Sequence, residues 1–186
     1  MPSLIGRFMR DIPYLRQGLV PQEESGAAVE SLEYLGEEHE KLTDDDVQDL
    51  ARALCQNDTY NGDLLLTGNN LTDLTALHLA SLFEKQNGHN ITKLVLDDNC
   101  FTSKAGEYIG EALAANPTYP IKKLSFKGIS LESIGLTRII EACNLNKNVK
   151  KLHIGVLTDD GLKALSQLLE PNESLEQLSF EETQDH

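Results

Sequence analysis

No stretch of 18 apolar residues occurs in the 186-residue chain, which leaves no candidate membrane-spanning helix. The N-terminal stretch MPSLIGRFMRDIPYLRQGLV likewise has no continuous apolar core of the signal-peptide kind, so secretion is not expected. Cysteine is scarce and odd in number. Cys55, Cys100 and Cys143 are scattered singly, with no CxxC pair and no Cys/His cluster that would suggest zinc. They read as reduced, small core-type residues of an intracellular protein. Positive charge is short as well: 16 Lys and Arg stand against 30 Asp and Glu, a formal net charge of -14, which argues against nucleic-acid binding. GxSxG, a phosphate loop and HExxH are all missing. The histidines (His39, His78, His89, His153 and His186) have no nucleophile at a telling spacing. The run Asp44-Asp45-Asp46 lacks the alternating ligands and glycine of a calcium loop, and it follows Thr43 at a helix start, where acids favour the dipole. No enzyme, no cofactor and no metal site are expected.

What the chain does contain is unevenly arranged. Residues 1–20 carry Arg7, Arg10 and Arg16 against Asp11. Residues 21–60 carry twelve acids against Lys41 and Arg52, a net -10. The division expected from this is an N-terminal arm and linker over residues 1–30, with PQEESGAAVE as the linker, and a repeat domain over residues 31–186. The repeat is read from two landmarks. The first core leucine of each presumed strand (Leu64, Leu94, Leu124, Leu152, Leu178) recurs at steps of 30, 30, 28 and 26. The asparagine closing each presumed helix (Asn57, Asn87, Asn116, Asn146, Asn172) recurs at steps of 30, 29, 30 and 26. Two landmarks sharing one period identify a stacked repeat, in which each unit buries its apolar face against its neighbours.

Within a unit, the LxL segment alternates as a strand does, and a stretch such as Leu74, Leu77, Leu79-Ala80, Leu82-Phe83 has helical spacing. Thr-Asp after Leu42, Leu71 and Leu157 supplies a helix N-cap, and the closing asparagine is read as a stop that tolerates left-handed backbone. Strand followed by helix, repeated, predicts an α/β solenoid of about five units with a parallel concave sheet, outer helices and the N-terminal arm.

The copies Leu64-Leu-Leu66-Thr-Gly-Asn69 and Leu94-Val-Leu96-Asp-Asp-Asn99 resemble the leucine-rich repeat family, in its ribonuclease-inhibitor-like subclass. In that family the asparagine bonds backbone inside the turn. The next two copies have Ile129 and Leu157 there, so their turns should differ. The first copy, from Ser31 to Asn57, is irregular, and the last, through Leu178 to Phe180, is a strand without its helix. Strands of the Lys-Lys-Leu or Leu-Glu-Gln-Leu type are similar to those of tropomodulin C-terminal domains and axonemal repeat proteins. The resemblance implies a non-enzymatic protein–protein interaction scaffold, an accessory subunit of a larger, cytoskeletal or ciliary assembly in the cytoplasm. The alternative is a regulatory module, such as a GTPase regulator or immune-type sensor. A mitochondrial location stays open because residues 1–10 carry two arginines and no acid.

Two sets of partner-binding residues are expected. On the concave face, Lys93, Lys123 and Lys151 should form a ladder across neighbouring strands, with Lys127 beside it and Val95, Ser125 and His153 in the adjoining row. Gly155 is assigned to the same face. A basic strip in an acidic protein points to a protein partner with an acidic segment. In the arm, Leu4, Ile5, Phe8, Met9 and Ile12 fall at helical spacing with Arg7 and Arg10 off the stripe, which fits either docking on a partner or capping the first repeat.

Overall fold

A strand takes its place beside the last and a helix returns along the outside, five times over. The computed structural model describes residues 3–23, 25–84 and 90–182; Asn87, His89 and His186 lie outside them. In order along the chain come α1 (Leu4–Arg16), β1 (Ser31–Glu33), α2 (Asp44–Gln56), β2 (Asn61–Leu65), α3 (Asp73–Glu84) and β3 (Asn90–Val95). Then follow α4 (Ser103–Ala115), β4 (Lys123–Ser125), α5 (Glu132–Leu145), β5 (Lys151–Leu157), α6 (Asp159–Leu169) and β6 (Gln177–Glu182). The strands form one sheet in sequential order β1 to β6, every neighbouring pair parallel. The register aligns Leu32, Leu64, Leu94, Leu124, Leu152 and Leu178 in one row.

The alternation read from the sequence is what places this core. Leu64 and Leu66, Leu94 and Leu96, Leu124 and Phe126, and Leu152 and Ile154 are all buried, against helix residues such as Leu79, Phe83, Ile109 and Ile139. Each such leucine contributes about 1.5–3 kcal/mol over leaving it in water. Leu74 and Leu77 depart from the expected pattern: they lie on the outer face of α3 and are exposed, because a helix lining a sheet buries only one stripe. Cys143 is buried as expected and Cys55 is half-buried, but Cys100 is exposed. Burial pushes the Cys143 thiol up to about 12, which keeps it protonated and inert.

Two asparagine ladders tie the units together, at opposite ends of the strands. At the C-terminal turns, Asn69 Nδ2 donates to the carbonyls of Tyr34, Leu66 and Thr67, while its Oδ1 accepts from Leu42 N–H. Asn99 repeats this one unit on, donating to Leu66, Leu96 and Asp97 and accepting from Asn69 N–H and Leu71 N–H. At the helix ends, Asn57, Asn116, Asn146 and Asn172 each donate to a carbonyl of the segment that precedes their unit: Leu15 and Leu19, Phe83, Tyr119, and Cys143 respectively. The expectation of left-handed backbone there is corrected. Asn57, Asn116 and Asn146 have φ of -99, -127 and -87. The side chain, a donor and an acceptor at once, is what the position requires.

The threonine caps form a third link. Thr43 and Asp46 make a reciprocal capping box, and Thr102 and Thr158 cap α4 and α6. Asp44 then reaches the next unit, accepting from Thr72 N–H and Oγ1 and from Thr75 Oγ1, and Asp73 accepts from Thr102 N–H and Oγ1. Burial of Asp44 favours its neutral form, but the hydrogen bonds from Thr75 and Thr72 outweigh this and hold its carboxyl below the usual range.

Where the turn asparagine is lost, the turn changes as expected. Ile129 N–H closes back on Phe126 O at 3.1 Å, Gly128 takes φ of +71, and β5 shifts register between His153 and Val156. Gly155 fills that bulge. A Cβ there would meet Ile129 O at 2.2 Å and Phe126 O at 2.3 Å, and the residue is buried instead of lining the concave face. Helices α4 and α5 also meet through glycine, since a Cβ on Gly106 would stand 2.6 Å from Gly135 Cα.

The ends of the stack differ. Helix α1 closes the first, with Leu4, Phe8, Ile12 and Leu15 buried in the common core. Phe8 meets Tyr34 edge to face at 5.5 Å, and Tyr34 Oη donates to the buried Asp11 carboxylate at 3.0 Å. Glu40 accepts from the first N–H of α1, at Leu4, at 2.8 Å. Hydrogen bonds to Ser3 and Leu4 hold the Glu40 carboxyl below its ordinary value. At the far end β6 is a strand with no helix after it among the described residues, and its inward-row Phe180 is 42% exposed.

Candidate functional site

The concave face is the surface of the sheet opposite the helices, and strand register decides which side chains share it. Two rows run across it. One is Ser31, Asp63, Lys93, Lys123, Lys151 and Gln177. The other is Glu33, Leu65, Val95, Ser125, His153 and Ser179. The lysine ladder expected from the sequence is therefore present, its members on adjacent strands about 4.8 Å apart. Lys127 is exposed just beyond the end of β4, its own N–H donating to Asp97 Oδ1 at 2.9 Å.

Side-chain placement sorts the members of the set. Lys93 is bound by Asp63, which also accepts from Thr92 Oγ1. Such a half-exposed pair contributes little to stability, about 0–1 kcal/mol, but it removes Lys93 from the supply of free charge. Val95 and Ser125 lie in the second row but are only 8% and 2% exposed, which leaves them little surface for a contact. His153 is half-buried, and its Nε2 has neither solvent nor a hydrogen-bond partner.

A cavity of about 440 Å³ spans the face from β2 to β6, lined by Asp63 and Lys93 on one side and by Lys122, Lys123, Lys150, Lys151 and His153 on and beside β4 and β5. Lys122 and Lys150 are the residues the sequence reading left out. Their signal was the Lys-Lys dipeptide at 122–123 and again at 150–151, one period apart. Lys150 reaches Glu176 at 3.7 Å and Ser174 O at 3.3 Å, whereas Lys122, Lys123 and Lys151 have no acidic partner among the described residues. The arrangement can hold an anion. Among the described residues it offers no cluster of metal-ligating side chains.

The arm residues are placed differently. Leu4, Phe8 and Ile12 are buried against the first repeat and cannot dock a partner in this fold; Ile5 is half-buried and only Met9 is strongly exposed. An amphipathic stripe of this composition covers whatever apolar surface lies nearest, and here that is the open end of its own solenoid. Arg10 pairs with Asp11 at 2.8 Å, and Arg7 Nε is buried without a hydrogen-bond partner.

No family model matches the chain, and no curated protein matches it. Solved structures do. Actin-binding site 2 of leiomodin-1 superposes with a TM-score of 0.64 at 19% identity, over 92% of this chain and 91% of that one. The tropomodulin C-terminal domain from Caenorhabditis elegans superposes with a TM-score of 0.66 at 14% identity, over 89% and 92%. The fold is a leucine-rich repeat solenoid. At these identities the likeness extends to the solenoid itself: the sequential parallel sheet, the outer helices and the stacked leucines. The lysine groove is a property of this chain's own strand residues.

Proposed function

We propose that this solenoid is a non-enzymatic protein-interaction scaffold, an accessory subunit of a larger assembly, whose partner lays an acidic segment across β4 and β5. The observation that carries the reading is the groove: among the described residues, Lys122, Lys123 and Lys151 stand unneutralised at one cavity in a chain of net charge -14. Charge of the minority sign gathered on the recognition face of a repeat protein guides encounter and selects against basic partners. The leiomodin domain is named for binding actin, which supports a cytoskeletal setting in the cytoplasm; a ciliary setting rests on the resemblance of the repeats.

Lys123→Glu with Lys151→Glu tests the reading. Affinity purification with mass spectrometry should recover an acidic-segment partner with the wild-type chain and lose it with the double variant. Undiminished recovery would remove the groove from the interface. Co-sedimentation with actin filaments tests the setting in the same pair of proteins.

A further inference from the structure

We infer that the acidic determinant seated in this groove is a phosphorylated side chain, held between Lys123 and Lys151 with Lys122 beside them. The inference rests on the groove being the partner site. Its first ground is charge. Five lysines line the cavity; Lys93 is neutralised by Asp63 and Lys150 is engaged by Glu176 and Ser174, which leaves three ammonium groups unmatched among the described residues. A carboxylate brings one negative charge, whereas a phosphomonoester brings about -1.5 to -2 at neutral pH, with three strong acceptor oxygens.

The second ground is the kind of base present. Every base at the rim other than His153 is a lysine and none is an arginine. The planar arginine fork is the group that reads a carboxylate bidentately. Point-charge ammonium groups from adjacent strands converge equally well on the oxygens of a tetrahedral anion.

A phosphorylated lipid headgroup shares the chemistry. The protein-borne form is favoured because the site lies on the concave side of the sheet and the net charge of -14 opposes approach to an anionic bilayer.

Isothermal titration of the full chain with three probes tests this. The probes are a blocked pentapeptide with phosphoserine flanked by glutamates, the same peptide with glutamate in place of phosphoserine, and vesicles carrying a phosphoinositide. The phosphopeptide should bind at least about tenfold more tightly than its glutamate counterpart, the worth of one charge-assisted hydrogen bond. Lys123→Gln with Lys151→Gln should remove that preference, and Lys104→Ala on α4 should leave it unchanged. Equal affinity for the two peptides overturns the phosphate and leaves the groove in place. Stronger binding to vesicles than to the phosphopeptide overturns the protein-borne source. Binding of neither peptide overturns the inference, and the groove reading then stands or falls on the affinity purification alone.

Discussion

Asp44 shows how much a single side chain carries in a stacked fold. It was legible as a helix-start acid, since it follows a threonine cap. Nothing in the local pattern shows that its carboxylate belongs as much to the next unit as to its own. Thr72 and Thr75 bind it, about one period away along the chain. Asp44→Ala should cost about 1–2 kcal/mol at neutral pH, the loss of charge-assisted hydrogen bonds at a helix start. Because the folded carboxyl lies below its usual range, its contribution is complete above the ordinary carboxylate range and is lost as the pH falls through the lowered folded value. Urea unfolding of wild type and variant at neutral pH and again near pH 3 checks this: the gap between the two should shrink in acid. A gap unchanged by pH would mean the side chain acts by packing alone. The same distinction between position and contact explains Val95 and Ser125. Alternation tells which face a residue points to, but long lysine stems and neighbouring strands decide whether anything can reach it.

At the scale of elements, strand register was the most legible feature, because a one-residue slip would turn every buried leucine outward. That is why Lys93, Lys123 and Lys151 align as expected. Helix packing was less legible. Nothing in the period marks α4 and α5 as the pair that approaches backbone to backbone, although Gly106, Gly110 and Gly135 allow it. Gly106→Ala decides whether the contact matters. Alanine is the better helix former by about 1 kcal/mol, yet its Cβ would stand 2.6 Å from Gly135, so the helices must part. The net effect should be destabilisation of about 1–3 kcal/mol, read as a lower denaturation midpoint with unchanged slope. A stabilised variant would mean the two helices can slide apart at no cost. The bulge at Gly155 was hidden for a related reason. Loss of the turn asparagine announces that the turn must change, but not which backbone atoms then close in.

For the whole molecule, the period fixed the solenoid and the parallel sheet, while the role of the arm could not be read from composition. A stripe of Leu4, Phe8 and Ile12 would cover a partner as readily as a first repeat, and only the arrangement of Tyr34, Asp11 and Glu40 around it settles that it closes its own stack. Among the described residues the far end, at β6, has no such closure, and this sets a direction along them. Units that contact only their neighbours unfold from whichever end has least to lose. Phe180 stands exposed beyond α6, while the asparagine ladder and the helical cap hold the opposite end. Amide hydrogen exchange should therefore run as a gradient, fastest in α6 and β6 and slowest near β2 and β3; uniform exchange rates would contradict it. The lysine groove, over β4 and β5, sits where that gradient begins to steepen. A ligand bridging those two strands would act as a ratchet, arresting fraying before it passes into the middle of the stack, so that occupancy of the groove and persistence of the C-terminal third are one equilibrium.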